Sequence, residues 1–351
     1  MTSETETPPS VQAPPQPAAS HWGAIAGLPL YQCRPEDEFL HPPVASGHYS
    51  STETTYWGFN IPEKHLNAEI YMWFHPHLNM CSSSVYIWKD IKHTTLSCEY
   101  INHYNYLPFP SDGIAEYQVE EAMNLRFKVI EPLKKIQIDF NDPDRNVSFS
   151  LLNEGIMPPG GRPHGGHFTQ AMKVTGDLNL FGEKLKVDGF FSRDHSWTQE
   201  RRETARKGPP ITWMVGIFDE AFAFHAVGPD DPALGPEWVE RYPQIEAGNT
   251  LGWGYVFKDG VTTPLASMRK LTHRDADGLA ANAFDLQLVD VNGKTYDLRG
   301  TVQARMPWQT WQNMNVYFCL TRWECDGRVG YGDSQDIYMN DFAYHFDRRN
   351  A

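Results

Sequence analysis

Residues 184–197 combine an apolar strand pattern with residue types that can move a proton. The residues at alternate positions are Leu185, Val187, Gly189, Phe191, Arg193, His195 and Trp197. An unbulged strand would point all of them to one face and Asp194 to the other. Burying an arginine and an imidazole is costly unless they are paired or border a solvated cavity. The pattern therefore predicts the lining of a ligand pocket. The alternative is a structural strand end, in which Asp194 pairs with an arginine and Trp197 packs inside.

Residues 99–106 group a carboxylate, a histidine and three tyrosines. If this segment is a strand, Tyr100 and Tyr104 share one face and His103 lies on the other. In one interpretation the hydroxyl groups and His103 orient an oxygenated substrate. In the other they are interior polar groups that satisfy one another. The sequence leaves both interpretations open.

His75 and His77 are spaced so that a strand could present both rings on one face, which is a possible metal geometry. Pro76 lies between them and is typical of a strand end or a loop. Because no further cysteine, histidine or carboxylate follows at ligand spacing, the sequence predicts no metal site.

Two other polar segments could belong to a site or to the solvent-exposed surface. His164 and His167 lie in or beside a glycine- and proline-rich loop at 157–166, which could be a lid or a surface turn. Asp333 and Asp336 lie near a C-terminal hairpin, where one of them could pair with Arg193 or His195. A solvated turn is the favoured interpretation for both segments.

Short alternating segments joined by tight turns must position these residues. Residues 284–298 alternate apolar and polar side chains around Asn292-Gly293, a preferred pair for a hairpin turn. Further turns of this kind are predicted at Gly182, Gly260 and Gly327. Helical periodicity is limited to 115–125 and 199–207. This organisation predicts an all-β protein of barrels or sandwiches.

The chain of 351 residues is long for a single core and sufficient for two. Residues 1–20 are rich in proline, serine, threonine and glutamate, so a disordered tail is predicted there. A charged segment followed by Gly-Pro-Pro at 197–210 is the best candidate linker. We therefore expect two domains, at 21–197 and 198–351.

The composition restricts the partners and the compartment. The formal net charge of −14 argues against nucleic acid and against docking on an anionic membrane. No stretch approaches the roughly 20 apolar residues of a membrane span, and the N-terminus lacks the pattern of a signal peptide. Five cysteines without metal or disulfide spacing predict free thiols. A cytoplasmic protein without membrane insertion is expected, and homo-oligomer formation is left open.

Residues 189–197 and 212–218 together resemble the signature of the carotenoid 1,2-hydratase or hydroxyneurosporene-synthase-like (AttH-like) family. The resemblance extends to 69–79 and 330–334, and it departs from the family at Thr198, where relatives tend to have glycine. It implies two lipocalin-like antiparallel β-barrel domains packed side by side. It also implies an apolar small-molecule site, which we expect inside the barrels. The family is chemically mixed and includes hydratases and cyclases, so the reaction is not implied.

The residues and the resemblance together predict a lyase or hydratase that needs no cofactor and acts on a hydrophobic aromatic or terpenoid compound. Water addition or elimination, or loss of a small carbonyl fragment from a phenolic compound, would suit such a site. His195 would move the proton, Asp194 would orient or balance the charge, and Arg193 would hold an oxygen. The expected substrate-binding residues are Tyr71, Tyr86, His103, Tyr104 and Trp197. A non-catalytic carrier of an apolar ligand, or an isomerase or cyclase, is the alternative.

Overall fold

The structure is a computed structural model that describes residues 24–110, 113–119, 124–201, 208–235, 245–276, 278–311, 314–340 and 342–344. The predicted tail at 1–20 lies outside the described residues, as does most of the helical candidate at 199–207. No helix among the described residues is long and apolar enough to cross a bilayer.

The first part of the chain forms one curved antiparallel sheet. Its strands are β1 (Ser51–Ile61), β2 (Leu66–His75), β3 (Met80–Lys89), β4 (Tyr100–Pro108), β5 (Glu116–Val119), β6 (Leu125–Glu131), β7 (Lys135–Asp142), β8 (Val147–Gly155), β9 (Gly160–Gly161), β10 (His167–Leu180) and β11 (Glu183–Glu200). They lie in the order β4-β3-β2-β1-β11-β10-β8-β7-β6-β5, with β9 paired to β10. Short 3₁₀ turns occupy Pro35–Glu38, Pro62–Lys64, Pro76–Leu78 and Thr95–Ser97.

The second part of the chain forms a closed barrel of eight antiparallel strands. They are β12 (Ile211–Asp219), β13 (Phe222–Pro229), β14 (Trp253–Lys258), β15 (Val261–Arg274), β16 (Ala281–Asp290), β17 (Thr295–Trp311), β18 (Met314–Cys325) and β19 (Arg328–Met339). The strands follow one another in chain order, and β19 closes the barrel by pairing with β12. The curved sheet and the barrel confirm the predicted all-β, tandem lipocalin-like fold.

Local sequence explains the hairpins. Asp259-Gly260 and Asp326-Gly327 have positive φ at both positions, as a two-residue type I′ turn requires. The helical candidate at 115–125 is wrong, because Glu116–Val119 is strand β5, paired with β6. Strand β5 lies at the edge of the sheet, and its Tyr117 is buried against the core.

The sheet packs against the outside of the barrel. Met306 and Trp308 of β17 and Phe318 of β18 belong to the same buried cluster as Phe59 and Ile70 of the sheet. The barrel interior has a separate cluster that includes Phe284, Leu286, Met268 and Trp323. Alternate residues of a strand point to opposite faces, and a bulge between Val302 and Ala304 shifts this alternation in β17. β17 and β18 therefore contribute side chains both to the contact with the sheet and to the barrel interior.

Side chains fill the barrel interior, in contrast to the ligand-holding barrel that we expected. Lys270 is fully buried on the same strand face as Met268, and its Nζ contacts Asp230, Thr212 and Thr272. A barrel of eight strands is just wide enough for side chains to occupy its centre. The buried polar network and the apolar cluster therefore leave the space between sheet and barrel as the place to look for a site.

Candidate active site

A cavity of about 100 Å³ lies between the sheet and the barrel. The sheet contributes Tyr71, His167, Asp194, Ser196 and Arg201 to its lining. The barrel contributes Trp213 and Gln335 together with the apolar side chains of Met314, Val316, Phe318 and Ile337. Such a space holds several water molecules or a small chemical group. It places a polar wall opposite an apolar wall.

Asp194 is the carboxyl group that borders this cavity. It lies in β11, opposite Tyr56 of β1 and Thr169 of β10. Burial raises the pKa of Asp194 to about 7; the positive charge of Arg201 acts to lower it, and the negative charge of Asp333 adds to the rise. Near neutral pH the carboxyl is therefore present in both protonation states.

Three buried carboxyl groups, those of Asp194, Asp333 and Glu69, lie near Tyr56. Asp333 of β19 accepts hydrogen bonds from Tyr56 Oη at 3.0 Å and from Gln335 Nε2 at 2.9 Å. Burial raises the pKa of Asp333 to about 7. Glu69 of β2 accepts a hydrogen bond from Ser84 Oγ at 3.0 Å, and burial raises its pKa well above the usual value. All three carboxyl charges act on Tyr56, whose pKa is also raised, chiefly by burial.

His167 is held beside Asp194 as a neutral imidazole. Its Nδ1 lies 2.5 Å from Ser196 Oγ, and its Nε2 lies 3.2 Å from Thr169 Oγ1. Burial lowers the pKa of His167 well below the ordinary value, and the nearby charge of Arg162 acts in the same direction. The ring packs edge-on against Trp213, with 4.9 Å between ring centroids. It can therefore orient groups by hydrogen bonding without carrying a charge.

An aromatic cluster adjoins the cavity where the sheet meets the barrel. Trp308 of β17 lies 5.2 Å from both Trp73 and Tyr86 and 5.8 Å from His103, measured between ring centroids. Tyr86 Oη and His103 Nδ1 are 3.0 Å apart, and burial lowers the pKa of His103. Tyr71 packs on Trp73 at 4.3 Å and so links this cluster to the cavity.

The opposite face of β11 is occupied by ion pairs. Arg193 is 2% exposed and forms two hydrogen bonds with Glu38, at 2.5 and 2.9 Å. Its Nε donates to Gln170 Oε1 at 2.8 Å, and its guanidinium lies over the rings of Trp57 and Phe168. With this set of partners the arginine is a structural anchor, which ties the 3₁₀ turn Pro35–Glu38 to the sheet.

His195 belongs to the same face and is also paired. Its Nε2 lies 2.7 Å from Glu53 Oε1, and His41 Nδ1 lies 3.0 Å from the same oxygen. His41 stacks on Trp197, with ring centroids 4.3 Å apart. Burial favours the neutral carboxyl of Glu53, but the hydrogen bonds to both histidines outweigh it and lower its pKa. Burial would likewise lower the pKa of His41, and the bond to Glu53 reverses this and raises it.

The structure therefore separates the predicted site residues into two groups. Asp194 and Tyr71 line the cavity, and Tyr86 and His103 lie in the adjoining aromatic cluster. Tyr104 is partly buried against the main core. Arg193, His195 and Trp197 share a face as predicted, but the expectation that this face lines the cavity is wrong.

The expected ion-pair partners also need correction. The alternative interpretation paired a C-terminal carboxylate with Arg193 or His195, whereas Glu38 and Glu53 from the N-terminal part do so. Asp333 and Asp336 are 3% and 0% exposed, so the solvated turn is wrong for them. Asp336 is bound by Arg274 instead.

His167 and Arg201 line the cavity without having been assigned a catalytic or binding role from the sequence, and Asp333 lies near Asp194. His167 was attributed to the glycine-rich surface turn, yet it begins β10 and is buried. The signal that could have identified it is its position directly before the alternating segment of β10. For Asp333 the sequence gave no comparable signal, because its partner Tyr56 is 277 residues away.

A wider depression of about 580 Å³ lies on the barrel, away from these groups. Arg269, Asp297 and Arg299 line it with charges of both signs, and it is open to solvent. Cys325 at its edge is kept protonated because burial raises its pKa to about 11. The cavity beside Asp194, which brings together groups with strongly shifted pKa values, is therefore the better candidate site.

The fold and the cavity define a class of β protein in which a curved, lipocalin-like sheet packs on a closed barrel. The chain belongs to the family described as "Domain of unknown function (DUF7064)", whose sequence profile matches residues 34–340. Comparison with curated protein sequences finds no match.

Solved structures are similar at low sequence identity. CghA with Sch210972 has a TM-score of 0.52 and 11% identity over 92% of this chain and 97% of that one. Kievitone hydratase from Nectria haematococca has a TM-score of 0.48 and 14% identity, over 82% and 88% of the two chains. An AttH-type protein from Nitrosomonas europaea has a TM-score of 0.49 and 13% identity, over 85% and 96%. The similarity to CghA extends over nearly the whole of both chains and concerns the fold.

Proposed function

We propose that this protein is a lyase or hydratase that moves a proton through Asp194 in the cavity between sheet and barrel. The observation that carries the proposal is the arrangement of the cavity wall. A carboxyl group, a neutral imidazole and a guanidinium, from Asp194, His167 and Arg201, line the same cavity. A positioned acid or base of this kind supplies about 10²–10⁴-fold of rate.

The proposed substrate is a hydrophobic aromatic or terpenoid molecule. Val316, Phe318 and Ile337 form an apolar wall opposite the polar one, and Trp213 offers an aromatic face. The volume of about 100 Å³ suits the reacting group of such a molecule and not its full skeleton. The resemblance of residues 189–197 to the AttH-like family adds support for an apolar substrate.

The proposed reaction is the elimination of water and its reverse. The Asp194 carboxylate takes a proton from the carbon beside a carbonyl group, and the C–H electron pair passes into an enolate whose oxygen faces Arg201. The enolate then restores the carbonyl group and forms a carbon–carbon double bond, while the C–O bond to the hydroxyl group on the next carbon breaks. The leaving oxygen takes the proton back from Asp194, so that one molecule of water is released.

In this proposal Arg193 and His195 are positioning residues. Their contacts with Glu38 and Glu53 fix the strand on both sides of Asp194. We propose these positioning roles in place of the catalytic roles that we expected for Arg193 and His195 from the sequence alone. Tyr71, Tyr86 and His103 remain proposed substrate-binding residues, because they extend the cavity wall into the aromatic cluster.

The test is to incubate the protein with a panel of hydroxylated terpenoids and prenylated phenolic compounds and to follow gain or loss of one water by mass spectrometry. Asp194→Asn should lower turnover by about 10²–10⁴-fold. The matched control is Asp188→Asn on the same strand, where the carboxylate is exposed and paired with Lys173. The control should retain wild-type turnover.

Turnover of Asp194→Asn within a factor of a few of wild type would refute the role of Asp194. If no panel compound changes mass but one of them quenches tryptophan fluorescence saturably, the protein is a carrier and the enzymatic proposal fails. Trp213 in the cavity lining makes that readout sensitive. A product of unchanged mass would indicate an isomerase or a cyclase instead.

A further inference from the structure

We propose that His41, Glu53 and His195 form a binding site for one divalent transition-metal ion of the zinc class, on the face of β11 opposite the cavity. The proposal goes beyond the function assigned to the cavity, because none of the three residues lines that space. Two imidazoles and one carboxylate are a common set of protein ligands for zinc, with a fourth position left for water.

The three ligand atoms already point toward one another. Glu53 Oε1 lies 3.0 Å from His41 Nδ1 and 2.7 Å from His195 Nε2, and all three atoms lie within 4.8 Å of one another. Zinc binds nitrogen and carboxylate oxygen at about 2.0–2.2 Å, which separates tetrahedral ligands by roughly 3.3–3.5 Å. On binding an ion, the two oxygen–nitrogen distances would therefore lengthen by roughly 0.3–0.8 Å.

The surroundings hold the ligands in place. The backbone N–H of His41 lies within hydrogen-bonding distance of both carboxylate oxygens of Glu53, at 3.2 and 3.0 Å, and fixes the plane of that group. The ring of His41 is stacked on Trp197 with an angle of 1° between the planes. Asp37 Oδ1 lies 3.4 Å from His41 Nε2. A carboxylate behind a metal-binding histidine is a usual outer partner, which orients the ring.

The charges of the cluster also match a divalent cation. The side chains of Asp37 and Glu53 are 2% and 7% exposed, so two carboxylates are buried beside the two imidazoles. Arg193 is bound to Glu38, and the exposed Arg34 approaches Asp37 only to 4.0 Å. One divalent ion would balance both carboxylates while the two histidines stay neutral, as metal ligands must be.

An ion could enter from the side of His41. The His41 side chain is 16% exposed, whereas that of His195 is 2% exposed. His41 precedes β1, and Glu53 and His195 belong to β1 and β11. A bound ion would therefore fasten the N-terminal segment onto the two central strands of the sheet.

The test uses the full chain after removal of metal with a chelator, followed by titration with Co²⁺ and then Zn²⁺. We expect one equivalent of Co²⁺ with the visible absorption bands of a four- or five-coordinate ion, displaced by one equivalent of Zn²⁺. Glu53→Gln and His41→Ala should each weaken Co²⁺ binding by at least about 100-fold. His65→Ala is the matched control, because His65 faces Asp90 at 3.0 Å on the exposed surface. The control should bind as wild type does.

The wild-type titration alone can overturn the proposal, whatever happens to the folding of the variants. Absence of a stoichiometric Co²⁺ spectrum in the wild-type chain would show that the cluster is a hydrogen-bonded network only. Binding that persists in a folded His41→Ala chain, as shown by its circular dichroism, would place the ion elsewhere. His41→Gln, which keeps much of the stacking area on Trp197, repeats the test if the alanine variant does not fold.

Discussion

The two faces of β11 carry polar residues in alternate positions, but the environments of these residues differ. On one face Arg193 and His195 each lie at hydrogen-bonding distance from a carboxylate, so this face is matched, residue by residue. On the other face Asp194 borders a cavity beside Arg201 and near Asp333, and its pKa is raised to about 7. Buried pairs hold a strand in place, whereas a carboxyl that borders a cavity and changes protonation near neutral pH is available for chemistry. The difference teaches that burial of a charged residue alone does not identify a catalytic group.

Breaking the matched face should have the largest effect. Glu38→Gln leaves the guanidinium of Arg193 buried without a counter-charge, and we expect a loss of about 3–5 kcal/mol in the free energy of unfolding. Lys186→Met is the control, because Lys186 pairs with Asp177 on the exposed surface, where a salt bridge contributes about 0–1 kcal/mol. Urea denaturation measures both. Equal effects would contradict the comparison.

The stability of the cavity side should respond to pH in the opposite sense from that of an ion pair. The pKa of Asp333 is raised from its ordinary 3.8 to about 7, so the folded protein holds a proton that the unfolded chain has lost. The stability that this provides is complete below about pH 4 and disappears as the pH rises through 7. Asp333→Asn should therefore match the wild type at pH 4 and exceed its stability at pH 8, by up to about 4 kcal/mol.

Thermal unfolding of both proteins across that pH range measures the difference. A constant difference between Asp333→Asn and the wild type from pH 4 to pH 8 would show that the carboxyl ionises freely in the folded state. Asp285→Asn is a suitable reference, since its side chain is exposed and paired with His273 at the surface.

The smallest effect is expected where β11 bulges. The register of β1 and β11 shifts between Thr52 and Thr54, opposite Thr198, which has a φ of 55°. A β-branched residue in this left-handed region is strained by about 1–2 kcal/mol, and glycine is not. Thr198→Gly should raise the free energy of unfolding by up to about 1 kcal/mol, whereas Thr301→Gly, at an exposed strand position, should lower it. A loss of stability in Thr198→Gly would contradict the strain.

The sequence was sufficient to predict much of the fold and part of the site. Period-two alternation and turn residues identified the hairpins, and alternation placed Arg193 and His195 opposite Asp194. Alternation cannot tell which face of a strand meets the cavity, because that depends on how the barrel packs against the sheet. The error about Arg193 and His195 has this origin.

Contacts between residues that are distant in sequence could not be predicted, for the same reason. The metal ligands proposed above are separated by 12 and 142 residues, whereas sequence spacing suggested only His75 and His77. In the structure His77 Nε2 lies 3.0 Å from the carbonyl oxygen of Val44, and the two histidines flank the start of a 3₁₀ turn. Long-range pairing across the sheet, and not local spacing, assembles the cluster.

β19, the last strand among the described residues, has two structural roles, and together they affect how the protein folds during its synthesis. β19 closes the barrel against β12 and also carries Gln335 into the cavity and Asp333 to Tyr56. A nascent chain emerges from the ribosome with its first half ahead, so the sheet can form while the cavity still lacks a wall. Closure of the barrel and maturation of the pocket are then one event, and a chain that stops before β19 would acquire neither.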